Sequence, residues 1–416
     1  MKDATIALHL GYEKDKEKAM QVPIYMTTAY EYENTDHAAR LFDLEEEGNI
    51  YTRIGNPTTR VFEKRIAALE RGVDALATAS GMAAIFYAIS NLVKNGDNII
   101  ISDKLYGGSI TLSTQTLKQF GISAKYFDVK KPDSLENLID ENTKLILFES
   151  IANPALSVPD FEKITKIAKK HNVITVCDNT LATPYVVKPI ELGVDIVVHS
   201  ASKYIVGNGS AIAGCLIEAP FAKDKLKTKR YEMFDTPDES YHGLIYNEKF
   251  NNPFIARARL ALLRDYGAVI SPFNAWLLLL GLETLHLRIK AHSENAMEIV
   301  EFLENHPKIK KVNYPFLKSD ENYTLAKKYL KYAGGIVSFE LGSYEEAKEF
   351  VSRLKIFSLV TNISDSKSLV THPASTTHQQ LSKEELINAG VPEGLIRLSI
   401  GLEDVDDLTK DLKNAL

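Results

Sequence analysis

From residue 61 onward the chain alternates two apolar patterns. Short, almost wholly apolar runs recur: "ALATAS" (75–80), "NIIIS" (98–102), "KYFDV" (125–129), "KLILFES" (144–150), "VITVCDN" (173–179), "DIVVHS" (195–200) and "AIAGCLIE" (211–218). Between most of them the apolar residues fall three and four apart, as in "VFEKRIAALERG" and "GMAAIFYAISNLVKNG". That spacing predicts helices, and Gly72 reads as the stop of the first. Strands apolar on both faces, alternating with helices, predict a mainly parallel sheet covered on both sides. In such sheets ligands sit at the carboxyl ends of strands.

Past Pro253 the pattern changes. A helical stretch runs from Ser271 to Pro307. After it come the strand-like "GGIVSFEL", "FSLVTN", "SLVTHP" and "LIRLSIG", with helices over 343–354 and 404–416. These predict a smaller α/β domain with an antiparallel sheet. Residues 1–60 show little periodicity and are rich in Tyr, Pro and Thr, as expected of an arm that packs on something else, such as another subunit. The predicted organisation is an arm (1–60), a ligand-binding domain (61–255) and a C-terminal domain (256–416).

Composition narrows the function classes. A formal net charge of -6 over 416 residues provides no basic footprint for nucleic acid. The most apolar segment, "WLLLLGL" from Trp276, is too short for a bilayer. With no apolar leader stretch in the first twenty residues, a cytoplasmic protein is expected. Cys177 and Cys215 both lie in strand-like runs and read as buried free thiols of a reducing compartment. His372 and His378 lack metal-site spacing, so no metal is expected.

Five features carry candidate chemistry. Lys203 follows "DIVVHS" by a few residues; buried at a strand end, its amine would be desolvated and able to attack an aldehyde. A loop lysine exposed to water is the ordinary alternative. Asp178 ends an apolar strand, where a carboxylate needs a cationic partner such as a pyridinium, or else serves as a helix cap. "TASGM" (78–82) turns from strand to helix with small residues, offering the Ser80, Gly81 and Met82 backbone to a phosphate. Arg397 lies within an apolar strand and fits either an internal salt bridge or a ligand carboxylate. Tyr106, in "LYGGS", could stack on an aromatic ring. An amine, a partner for a pyridine nitrogen, a phosphate cradle and a carboxylate fork are what a PLP enzyme acting on amino acids needs.

Over nearly its whole length the chain resembles the Cys/Met-metabolism family of PLP-dependent enzymes. The resemblance is carried by "PIYMTTAYEYENTDHAARLF", "GNIYTRIGNPTTRVFEKRIAALE", "DNTLATPYVVKPIELGVDIVVHSASKY", "LRDYGAVISPFNAWLLLLGLETLHLR", "HPASTTHQQL" and "GLIRLSIGLEDVDDL". It implies the aspartate-aminotransferase-like fold (fold type I) of PLP-dependent transferases and a homotetramer built as a dimer of active dimers. By motif, Lys203 would carry the cofactor, Asp178 would keep the pyridine nitrogen protonated, Tyr106 would stack on the ring and Asn153 would bond the ring hydroxyl. Ser80, Gly81, Met82, Ser200 and Ser202 would hold the phosphate, joined by Tyr51 and Arg53 from a neighbouring subunit. Arg397, helped by Asn362, would grip the substrate carboxylate, and Tyr106 or Tyr51 would assist proton transfer. The implied reaction is γ-replacement on O-acetyl-L-homoserine by sulfide or methanethiol; elimination by a γ-lyase, or a γ-synthase reaction, is the alternative within the family. Two positions depart from the family pattern: Ser364 stands where glycine is usual, and Asn208 where histidine is usual.

Overall fold

The computed structural model describes residues 1–14, 16–376 and 391–416. The seven apolar runs pair into one sheet: β1 Asp74–Thr78, β2 Asn98–Ser102, β3 Ser123–Phe127, β4 Thr143–Glu149, β5 Ile174–Asp178, β6 Ile196–His199 and β7 Gly214–Glu218, in the order β1-β7-β6-β5-β4-β2-β3. Only β7 runs against its neighbours, β1 and β6; the other pairs are parallel. Every residue of β1, β2, β4, β6 and β7 is buried, which is why their runs are apolar on both faces. Cys177 and Cys215 are free and fully buried in β5 and β7.

Helices cover this sheet, several opened by the side chains expected of N-caps. Asn56 caps the Pro57–Glu70 helix, Ser80 the Gly81–Ser90 helix and Asp160 the Phe161–Lys170 helix. The first helix corrects one expectation. Its left-handed closing residue is Arg71, with φ 69°, not Gly72. Glycine is required at 72 for a different reason: a Cβ there would lie 2.2 Å from Ile217 Cγ2 and 2.8 Å from the Glu218 carbonyl. Close packing of the loop on β7, not turn conformation, selects it.

The 33-residue helix Pro272–Glu304 leads to a second sheet: β8 Lys311–Asn313, β9 Ile336–Glu340, β10 Ser358–Leu359, β11 Leu369–Thr371 and β12 Leu395–Ser399, ordered β10-β11-β12-β9-β8. It is antiparallel except for β10–β11. Val337, Phe339, Ile396 and Leu398 share its core with Phe350 and Leu412 of the Tyr344–Arg353 and Val405–Ala415 helices. β8 was not anticipated, because three partly exposed residues leave no apolar run.

Among the first sixty residues, Asp3–His9 and Thr35–Phe42 are helical, and Met20, Met26, Phe42 and Tyr51 are exposed. His372 has one ring nitrogen on Ser375 Oγ and the other on the Glu393 carbonyl; His378 lies outside the described residues. Among the described residues no helix is long and apolar enough to cross a membrane.

Candidate active site

The carboxyl ends of β4, β5 and β6 border a cavity of about 690 Å³. Ser80, Gly81, Met82, Tyr106, Asn153, Asp178, Ser200, Ser202, Lys203, Asn362 and Arg397 all line it. Tyr51 and Arg53 do not: Arg53 donates to the Arg264 carbonyl and lies 5.4 Å from the Tyr51 ring centroid.

Lys203 is half-buried just past β6. Burial, aided by the positive charge of Arg397, lowers its pKa, which favours the neutral, nucleophilic amine. Its Nζ donates to Asn362 Oδ1, so a loop residue 159 positions away holds the amine in place. The ordinary alternative of a water-exposed loop lysine does not describe this environment.

The strand ends set the negative side of the cavity. Asp178 Oδ1 accepts from the amide and hydroxyl of Thr180. Parallel register places Glu149 of β4 beside it. Glu149 accepts from the Tyr106 amide at 2.6 Å and the Asn153 amide at 3.0 Å. Neither carboxylate has a cation among its described hydrogen-bond partners. Burial raises the pKa of both, and the nearby Asp178 charge helps push Glu149 up to about 8. A bound cation would relieve that cost.

At the phosphate-ready turn, Ser80 Oγ accepts from the Ala83 amide at 3.1 Å. The Gly81 and Met82 amides, at the helix start, have no acceptor within the helix. A Cβ on Gly81 would stand 2.6 Å from Ser200 Cβ, so only glycine lets the helix start approach the Ser200 turn this closely. Ser202 is different in kind. Its hydroxyl donates to the Ala213 carbonyl at 3.1 Å and accepts from the Ala213 amide at 2.9 Å, so it is already engaged in tying the turn to the strand beyond.

Arg397 projects from β12 and is 5% exposed. Its Nη1 donates to Asn153 Oδ1 at 3.1 Å, and its Nη2 to the Thr361 and Asn362 carbonyls and Thr371 Oγ1 at 3.1–3.3 Å. All four acceptors are neutral, so the internal salt bridge weighed for it is not seen among the described residues. Burial lowers its pKa to about 10, leaving it cationic at neutral pH and without a counter-charge from its bonded neighbours. Tyr106, half exposed, presents its ring to the cavity from the loop after β2.

Ser364 adopts φ 64° and is 1% exposed. Its amide donates to Ser399 Oγ at 2.7 Å, and its hydroxyl interacts with the buried Tyr204 hydroxyl. Asn208 sits exposed between two left-handed glycines and accepts from Ser210 through its side chain.

Sequence reasoning missed Glu149 and Thr180. Glu149 ends an apolar strand just as Asp178 does, so the same signal was present in "KLILFES". This donor set fits pyridoxal phosphate: a neutral-leaning amine for its aldehyde, carboxylates for its ring nitrogen and helix amides for its phosphate.

The family model described as Cys/Met metabolism PLP-dependent enzyme matches residues 4–416. The O-acetyl-L-homoserine sulfhydrylase of Leptospira meyeri is 48% identical, over 100% of this chain and 96% of that protein. The homocysteine synthase of Schizosaccharomyces pombe is 45% identical over 99% and 97%. A crystal structure assigned as an O-acetylhomoserine (thiol)-lyase of Campylobacter jejuni, carrying a pyridoxyl-lysine phosphate, superposes with a TM-score of 0.98 at 51% identity, covering 100% of this chain and 99% of that one.

Proposed function

The chain belongs to the Cys/Met-metabolism family of PLP-dependent enzymes, and on that premise we propose that it replaces the acetoxy group of O-acetyl-L-homoserine with a sulfur nucleophile. Sulfide gives homocysteine and methanethiol gives methionine, with acetate released in either case. The observation that carries this reading is the charge layout of one cavity. Two carboxylates with no cation among their described hydrogen-bond partners stand at one side, a guanidinium with no anion among its own stands at the other, and a neutral-leaning amine lies with them. Sulfhydrylase and homocysteine synthase relatives matched end to end support the choice of substrate.

When bound, pyridoxal phosphate supplies an aldehyde that an amine can engage and a ring that accepts electron density from the substrate Cα. Lys203 would hold the cofactor, and an arriving substrate amine would free its Nζ. Asp178 keeps a proton on the ring nitrogen, and Tyr106 flanks the ring. Ser80, Gly81, Met82 and Ser200 receive the phosphate, with Ser202 shaping their turn. Arg397 holds the α-carboxylate in charge-assisted hydrogen bonds, with Asn362 and Asn153 fixing the guanidinium. The freed Lys203 amine then takes the Cα proton, and a further proton leaves Cβ. Acetate departs from Cγ, sulfur bonds to the same carbon, and the protons taken from Cβ and Cα are then returned to them. Tyr106 or Tyr51 serves as the acid–base helper.

The arm of residues 1–60 brings Tyr51 and Arg53 to the phosphate of a neighbouring subunit, in a homotetramer acting in the cytoplasm. Residues 61–255 form the cofactor domain and 256–416 the C-terminal one. The exposed Met20, Met26 and Phe42, and the position of Tyr51 and Arg53 away from their own cavity, support that arrangement.

The test is incubation with O-acetylhomoserine and sulfide. Homocysteine and acetate should form in equal amounts. No homocysteine, with cystathionine or methionine cleaved to ammonia and a keto acid instead, would overturn the assignment in favour of a γ-lyase.

A further inference from the structure

Glu149 is the one buried carboxylate of the cavity for which the proposed chemistry gives no task. Its position is costly, since it stands beside Asp178 at the end of β4, 7% exposed, with no cation among its bonded partners. What it does have is two backbone N–H donors from two different loops. Oε1 takes the Tyr106 amide from the loop after β2, and Oε2 takes the Asn153 amide from the loop after β4. Tyr106 is the residue whose ring flanks the cavity, and Asn153 Oδ1 in turn accepts from Arg397. An unbroken chain of contacts therefore runs from Tyr106 through Glu149 and Asn153 to Arg397. It joins the wall beside the cofactor ring to the fork for the substrate carboxylate.

We propose that Glu149 is a positioning residue that fixes the spacing between the Tyr106 ring and the Arg397 guanidinium, and so aligns the amino-acid substrate with the cofactor plane. The inference rests on the PLP-enzyme reading of the cavity but not on which amino acid is bound. Only a carboxylate satisfies both loops at once, because each of its oxygens is an acceptor. Glutamine of the same length keeps one acceptor and turns an NH2 group toward the other amide, which loosens one loop. Displacements of about 1 Å at such a distance from the reacting atoms can cost about 100-fold in rate.

The test compares wild type with Glu149→Gln and with Asn153→Ala, all loaded with pyridoxal phosphate. In Glu149→Gln the visible absorbance should persist, since Lys203 is intact. Its visible circular dichroism should change in amplitude, and KM for the amino-acid substrate should rise about 10-fold, with a fall in kcat. Asn153→Ala keeps the backbone amide but removes the contact to Arg397 and the side chain assigned to the ring hydroxyl, so KM should rise and the dichroism change, while the Tyr106 amide stays slow to exchange. Hydrogen exchange on wild-type holoenzyme adds a readout that needs no variant to fold: the Tyr106 and Asn153 amides should be slow, despite lying in loops. Unchanged dichroism and KM in Glu149→Gln, or fast exchange at those amides, would overturn the proposal. A wild-type enzyme that binds the cofactor yet ignores O-acetylhomoserine would instead overturn the substrate assignment, leaving the dichroism and exchange results to decide the role of Glu149.

Discussion

Asp178 and Asn179 are neighbours at the end of β5, yet they serve opposite sides of the sheet. Asp178 lines the cavity beside Glu149. Asn179 points into a fully buried cluster, where Glu70 Oε1 accepts from Asn179 Nδ2 at 2.7 Å and pairs with His199 Nε2 at 2.6 Å. Both clusters hold carboxylates under the same strand ends. The rear one has its polar and basic partners within the chain. In the front one the acids are bonded, among the described residues, only to amides and a hydroxyl. Buried acid is therefore not by itself a sign of a ligand site; what distinguishes the two is whether a basic side chain is bonded to the acid within the chain. By this comparison the front cluster should govern chemistry and the rear cluster stability.

The largest effect is expected at the front. Asp178→Asn keeps an acceptor for Thr180 but removes the charge, and kcat should fall about 10³-fold in steady-state assays, with little change in melting temperature. At the far side of the cavity, Arg397→Lys retains a cation but not the planar fork. KM for O-acetylhomoserine should rise about 10- to 100-fold, as for loss of a charged hydrogen bond. Glu70→Ala reverses the pattern. It leaves His199 and Asn179 without their buried partner and should cost about 3 kcal/mol in denaturant unfolding, while kcat per loaded site stays near wild type. A large loss of kcat in that variant would erase the distinction between the two clusters.

A pH prediction follows from Glu149. In the folded, cofactor-free protein its pKa is about 8 instead of 4.5, raised by burial and by Asp178. Between those values the folded state holds more proton than the unfolded one, so stability falls as pH rises, by up to about 1.4 kcal/mol per unit. Thermal melts of stripped protein from pH 5.5 to 7.5 should show the decline. Glu149→Gln should reduce the slope without abolishing it, because burial raises Glu218 to about 8 as well and also raises Asp178. The smallest effect concerns Ser364, whose left-handed φ disfavours a side chain. Ser364→Gly should gain about 0.5–1 kcal/mol in unfolding experiments, the relief of strain exceeding the added flexibility of the unfolded chain.

Much of this was legible before any coordinates. "NIIIS" gives β2 residue for residue, because a strand buried on both faces leaves an uninterrupted apolar run. Lys203, Asp178 and Arg397 stood out because a charged residue beside such a run is anomalous. Glu149 carried the same anomaly, but it had no place in the set of parts sought. What the sequence could not show was non-local. Asn362 against Lys203, Asn153 against Arg397 and Glu70 against His199 all join residues more than 100 positions apart, through contacts that no periodicity encodes. The role of Gly72 was hidden for the same reason: the constraint lies in β7, not in its own turn.

The most direct test of the account is to reduce the purified holoenzyme with borohydride, digest it and locate the pyridoxyl group by mass spectrometry. The label should lie on Lys203, in the peptide containing "HSASKY", and the yellow band should disappear as it forms. A label on any other lysine, or a protein that cannot be loaded with pyridoxal phosphate at all, would contradict it.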